Sequence, residues 1–233
     1  MSNRNIPHIV PILTGALVIA LLIIGLLRIP YLNVITTRRA SSVIVIDPGH
    51  GGYDPGKVSA DQILEKDVNL AIALKLKNYL EAQDCIVYMT RDSDISLCSE
   101  TDSGKKQKDM RNRITFIEET RPDLMISIHQ NSYPSPDVRG AQVFYYHTSD
   151  HSEYLASCVQ SAIVELADPN DHRTHKANDS YYILKNVSCP SILVECGFLS
   201  CPSECALLSS EEYQEIMAFA IASGIRTYLN TSE

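Results

Sequence analysis

The chain reads as an α/β protein: a single mostly parallel sheet covered by helices on both faces, with an N-terminal transmembrane helix. Three observations predict this. From Val43 onward, short β-branched runs alternate with stretches of helical periodicity, the pattern that builds parallel sheets. Hydrophobic residues make up 45% of the 233 residues and aromatics only 7%, which suits a globular core rather than a disordered chain. The segment from Ile9 to Leu27 carries no charge over 19 residues, close to the length of a bilayer-spanning helix.

Taken in order, residues 1–8 form a short tail, 9–27 a membrane anchor, 28–42 a polar linker and 43–233 one domain. No small-residue cleavage site follows Leu27, so the span reads as an uncleaved anchor rather than a signal peptide. Arg4 precedes it while Arg28, Arg38 and Arg39 follow, which by the charge rule alone would place the domain inside. Val43–Ile46 is a buried strand ending at Pro48. Val68, Ile72, Leu76 and Tyr79 recur at helical spacing and predict a helix from near Glu65 to Ala82. Cys85–Thr90 is a strand, and the polar residues 91–109 a long surface loop. Met110, Ile114 and Ile117 mark a second helix. Leu124–Ile128 is a strand ending in His129, and Ala141–Tyr146 another. Leu155, Val159, Ala162 and Leu166 line a third helix, followed by a polar loop over 168–180. Tyr181–Leu184 and Ser191–Glu195 read as short strands, and Glu211–Tyr228 as a closing helix.

The formal net charge of -8 argues against a general nucleic-acid binder, which would carry a basic stripe. Seven cysteines show no repeated C-x-x-C pattern. Cys189, Cys196, Cys201 and Cys205 could hold zinc by composition, but their spacings match no ribbon or finger, and buried thiols or one local disulfide read better.

In parallel α/β sheets, sites gather at the carboxyl ends of strands. His50, His129 and Glu195 all sit at such ends. The glycines of Asp47-Pro48-Gly49-His50-Gly51-Gly52 let a ligand or backbone approach the His50 imidazole closely. Two histidines and a carboxylate form a hydrolytic zinc set with one open position, and Glu65 is the candidate third ligand. Glu65 also suits a helix N-terminus with no ligand role. Glu195 closes an apolar strand, where desolvation would fit it for proton transfer, unless a basic partner neutralises it. Asp47 would orient His50 or cap the turn. His147, His151, His172 and His175 read as surface residues. Gly51 to Lys57 imitates a phosphate-binding loop, but Val58 stands where Ser or Thr is needed and Pro55 removes a backbone donor.

The blocks Asp47–Gly52, Glu65–Leu70, Ser127–Ser132 and Leu193–Phe198 together resemble the signatures of zinc-dependent N-acetylmuramoyl-L-alanine amidases (amidase type 3). Supporting similarity runs through Met89–Asp92, Gly140–Tyr146 and Tyr182–Leu184, so the resemblance extends from Val43 to Leu229. It implies that residues 43–233 are a catalytic domain cleaving the amide between N-acetylmuramic acid and L-alanine in peptidoglycan. It further implies that His50, Glu65 and His129 bind Zn²⁺ and that Glu195 is the catalytic carboxylate. The anchor and the lack of a wall-binding repeat are most similar to the sporulation and germination-specific enzymes, which act on cortex peptidoglycan on the way to muramic-δ-lactam. Peptidoglycan lies outside the cytoplasm, so the resemblance places the domain there, anchored to the membrane. Lys57 replaces a usual small residue, the loop before Glu65 lacks expected glycines, and Cys201 replaces a common asparagine. The altered 56–64 loop implies weakened metal affinity and an activating partner protein. The alternatives are a family member that binds peptidoglycan or a partner without cleaving it, and a zinc peptidase acting elsewhere in the stem peptide.

Overall fold

The structure, a computed structural model, describes residues 41–231. The tail, the anchor at 9–27 and the linker up to residue 40 lie outside the described residues. Among the described residues no helix is long and apolar enough to cross a membrane.

Six strands form one sheet: β1 (Val43–Pro48), β2 (Ile86–Met89), β3 (Leu124–Asn131), β4 (Gln142–Tyr145), β5 (Lys176–Ala177) and β6 (Ser191–Phe198). Their order is β2-β1-β3-β6-β4-β5. Every neighbouring pair is parallel except β4 with β6, which is antiparallel, so the sheet is mixed rather than uniformly parallel. The helices are α1 (Glu65–Glu81), α2 (Lys105–Thr120), α3 (Asp150–Leu166), α4 (Tyr182–Asn186), α5 (Pro202–Leu208) and α6 (Glu211–Thr231).

Successive strand residues point to opposite faces, and this alternation divides the core in two. Ile44, Ile46, Ile126, Ile128, Ile192 and Val194 pack with residues of α1, α3 and α6. Val45, Met125, Phe144 and Leu193 pack on the other face with Ile117 of α2 and with Ile183 and Leu184 of α4. Both faces are therefore covered, which explains why β1, β3 and β6 are apolar runs rather than half-polar alternations.

The predicted elements recur with four corrections, the first being β5, which falls inside the predicted polar loop 168–180. Residues 91–109 are not all loop, because α2 begins at Lys105 behind Gly104, which takes a left-handed φ of 65°. The lysine cluster is its first turn. Tyr181–Leu184 is not a strand. Ile183 and Leu184 are both buried, and as part of a helical turn they pack together onto one sheet face. The short helix α5 was not foreseen, although Pro202 stands at its start, a position where a missing N–H is harmless. The described residues contain no disulfide.

This placement makes a testable contrast. Ile126 is fully buried in the sheet interior, and Ile126→Ala should destabilise the fold by about 2–5 kcal/mol in chemical denaturation. Ile86 is 46% exposed on the edge strand β2, and Ile86→Ala should cost less than about 1 kcal/mol.

Candidate active site

The site lies at the carboxyl ends of β1, β3 and β6. The turn after β1 carries His50 in the left-handed region, with φ of 61°. A side chain is disfavoured there by about 1–2 kcal/mol, so the turn must be held from outside. Two buried arginines hold it. Arg91 donates from Nε to the Pro48 carbonyl (2.9 Å) and from Nη2 to that of Gly49 (2.9 Å). Arg113 donates to the carbonyls of Pro48 (2.8 Å) and His50.

Asp47 anchors this arrangement instead of touching His50. Its side chain follows Val45 onto the α2 face, where its Oδ1 accepts from Arg113 (2.7 Å) and Thr90 (2.7 Å) and its Oδ2 from Ser127 (2.7 Å). Neither sequence reading of Asp47, orienting His50 or capping the turn, describes this buried pairing. Asp54 orients His50, its Oδ2 lying 2.9 Å from Nδ1. Arg113 falls inside the predicted second helix, where the sequence reading gave it no role. Its position on the same helical face as Met110 and Ile117 was the available signal that it turns inward.

The metal-ligand candidates converge. Glu65, the first residue of α1 and 4% exposed, places Oε1 3.1 Å from His50 Nε2 and 2.9 Å from His129 Nδ1. One ligand atom from each residue fits within 4.8 Å, and this is the only such group of His, Cys, Asp and Glu among the described residues. Glu65 is thus both a helix N-terminal carboxylate and a site residue. Its Oε2 accepts from the Lys57 amide (2.7 Å) and its Oε1 also faces Asn69 Nδ2 (3.4 Å) and the Gln130 amide (3.2 Å). The altered 56–64 loop closes on itself, with Ser59 N donating to Ile63 O (2.9 Å) and Glu65 N to Lys57 O (2.9 Å). Two glycines are required by space. A Cβ on Gly49 would lie 2.2 Å from the His129 ring, and one on Gly56, at a φ of 67°, would lie 2.5 Å from Glu65 Oε2.

Electrostatics separates the two buried carboxylates. Burial opposes ionisation of Glu65, but hydrogen bonds and charge from His129 and His50 outweigh it and hold its carboxyl far below the usual range. Burial likewise opposes charge on His50, yet hydrogen bonds to Asp54 and Glu65 raise its pKa to about 9. Glu195 goes the other way: burial pushes its carboxyl up, with the Glu65 charge adding to the effect. Glu195 stands opposite His129 in the β3–β6 register. Among the described residues no Arg or Lys partners it. Its Oε1 accepts from the Tyr181 hydroxyl at 3.0 Å, and its buried Oε2 has no hydrogen-bond partner. The other histidines among the described residues are apart from this cluster: His147 pairs with Asp179, His151 and His172 are exposed, and His175 lies near the Tyr145 ring.

Two imidazoles and a carboxylate that could hold a metal ion, beside a second buried carboxylate, suit hydrolytic chemistry. Comparison with known proteins names the kind. Residues 44–227 match the family described as N-acetylmuramoyl-L-alanine amidase, and the chain belongs to that family. It is 40% identical over 194 residues to the germination-specific N-acetylmuramoyl-L-alanine amidase of Bacillus subtilis (strain 168), covering 81% of this chain and 80% of that protein. The structure of the CwlD amidase from Clostridioides difficile, in complex with the GerS lipoprotein, superposes with a TM-score of 0.80 at 38% identity. That match covers 82% of this chain and all of the other (100%). A second amidase, from Clostridium difficile 630, gives 0.74 at 32% identity, over 83% of this chain and 99% of its own. The chain is accordingly a peptidoglycan amidase.

The buried network predicts a pH-dependent stability. Burial would raise the pKa of Asp47, but the Arg113 charge and three hydrogen bonds hold it below its ordinary value. The pair therefore contributes fully above about pH 4, and the contribution is lost as pH falls through the depressed folded value. Arg113→Ala should destabilise the protein by about 3–5 kcal/mol at pH 7 in urea denaturation. The deficit should shrink as the measurement is moved below that window.

Proposed function

We propose that this amidase is zinc-dependent and acts on spore-cortex peptidoglycan, releasing stem peptides in the step that leads to muramic-δ-lactam. The observation that carries the chemistry is the convergence of His50, Glu65 and His129 beside the unpartnered oxygen of Glu195. The donor set fits zinc: two imidazole nitrogens and one carboxylate oxygen, with room for a fourth position. Asp54 would fix the His50 ring so that Nε2 faces the ion, the carboxylate–histidine pairing usual behind metal ligands. Bound there, zinc supplies Lewis acidity, which acidifies water and polarises a carbonyl.

The chain's own residues do the rest. Glu195 takes a proton from the attacking water as the water oxygen bonds to the lactyl carbonyl carbon. It then gives that proton to the alanine nitrogen as the C–N bond breaks, leaving a carboxyl on the sugar and a free peptide amine. Its desolvated setting raises its basicity toward this task.

The cortex assignment is supported by the 40% identity to the germination-specific enzyme. We propose that residues 9–27 anchor the protein and that the catalytic domain lies outside the cytoplasm, where peptidoglycan is. We also propose an activating partner protein, an idea supported by the lipoprotein complex of the Clostridioides difficile amidase.

Muropeptide mass spectrometry tests the reading. Wild-type protein with Zn²⁺ should release intact stem peptides with a free L-alanine amino terminus. Glu195→Ala should lose about 10²–10⁴-fold in rate while keeping its zinc. His129→Ala should fail to retain zinc through dialysis. Cleavage elsewhere in the stem peptide would point to a peptidase instead.

A further inference from the structure

We propose that Tyr181 is a positioning residue for the reaction, holding the Glu195 carboxylate so that its second oxygen is left to take the proton. This rests on the reading of Glu195 as the catalytic carboxylate.

A carboxylate at the end of a buried strand can rotate about its terminal torsion, which is broad and weakly restricted. Oε1 of Glu195 is fixed by the Tyr181 hydroxyl at 3.0 Å, while buried Oε2 has no partner. One oxygen is thus occupied and the other is vacant for chemistry. A hydroxyl is suited to this task because it satisfies the carboxylate without neutralising it, as Arg or Lys would. Burial and the Glu195 charge push the phenol well above its ordinary range, so it stays protonated as a donor.

The tyrosine is itself held on several sides. Its ring meets Phe144 edge-on, with centroids 5.3 Å apart. Its amide donates to Asn178 Oδ1 (3.1 Å), which also receives the Ser180 amide (2.7 Å). Asn178 in turn donates its amide to the Tyr145 carbonyl (2.8 Å), just after Lys176–Ala177 pairs with β4 as β5. Tyr181 then opens α4, its carbonyl accepting from Lys185 N (3.2 Å). The loop 178–181 is therefore tied to the sheet on one side of the tyrosine and to a helix on the other. Leu193 and Glu195 share a sheet face with α4, so the strand alternation brings the carboxylate toward this tyrosine.

The test is Tyr181→Phe, which keeps the ring against Phe144 and removes only the hydroxyl. With muropeptide substrate and full-length protein, kcat should fall by about tenfold or more, the factor for one hydrogen bond to a charged group. KM, zinc content and Tm should stay close to wild type. The variant is then combined with Glu195→Gln. If Tyr181 acts through Glu195, removing its hydroxyl costs nothing further in the Glu195→Gln background. An unchanged kcat in Tyr181→Phe, with Glu195→Gln inactive, overturns the positioning role and leaves the catalytic reading intact. A raised KM, or an additive loss in the double variant, also overturns it, by placing Tyr181 on the substrate. Full activity of Glu195→Gln would instead remove the reading on which the proposal stands.

Discussion

The buried pairing of Arg113 with Asp47 is the constraint on which the site depends. Removing two charges from water is costly, and the pair is tolerable only because nearly every donor and acceptor is used. Asp47 receives Arg113, Thr90 and Ser127, while Arg113 also reaches Asp109 and two backbone carbonyls. Arg91 takes the carbonyls of Pro48 and Gly49 from the other side. Three successive peptide carbonyls are thereby fixed, and His50 is kept in a backbone conformation that its side chain disfavours. The clamp holds the backbone of the turn, while Asp54, four residues on, holds the imidazole itself.

Two carboxylates close to one pair of histidines are given different duties by their surroundings. Glu65 lies between both rings and accepts backbone amides, so its charge is stabilised. Glu195 accepts from one hydroxyl and is deeply buried, and burial, with the Glu65 charge adding to it, outweighs the nearby histidines, so its charge is opposed. Environments that split the proton affinities of neighbouring acids suit them to different tasks, which in the function proposed above are metal ligand and proton carrier. The division follows from the fold: Glu65 opens a helix whose first turn presents it to the site, whereas Glu195 is embedded in a strand.

The candidate site residues were readable in the chain from where they fall in it. His50, His129 and Glu195 interrupt β-branched stretches where polar side chains are conspicuous, and Glu65 starts a clear helical period. The supporting residues were not. Asp47 reads equally well as a turn cap, because sequence does not show which sheet face meets α2. Arg113 is hidden among Lys105, Lys106, Lys108 and Arg111, of which Lys106 and Arg111 are exposed and the other two half-buried. Tyr181 was lost through a wrong element: Tyr-Tyr-Ile-Leu has strand propensity, and only packing on Phe144 and Leu193 makes it the start of a helical turn. The reversed direction of β4 was equally illegible, since alternating elements alone do not state the sense of a strand joined by a short connection.

The place of β6 has a consequence for how the protein comes into being. It is the last strand to be synthesised, yet it lies between β3 and β4, and the pair β4–β5 joins the sheet only through it. A chain emerging from the ribosome or a translocation channel amino terminus first therefore carries two separate sheet fragments with open edges until residue 198 is free. Such long-range pairing folds slowly and leaves strand edges available for wrong partners in the meantime. Glu195 arrives on that same strand, so the unfinished chain also lacks the carboxylate proposed above as proton carrier. On that proposal, hydrolytic competence is tied to completion of the chain.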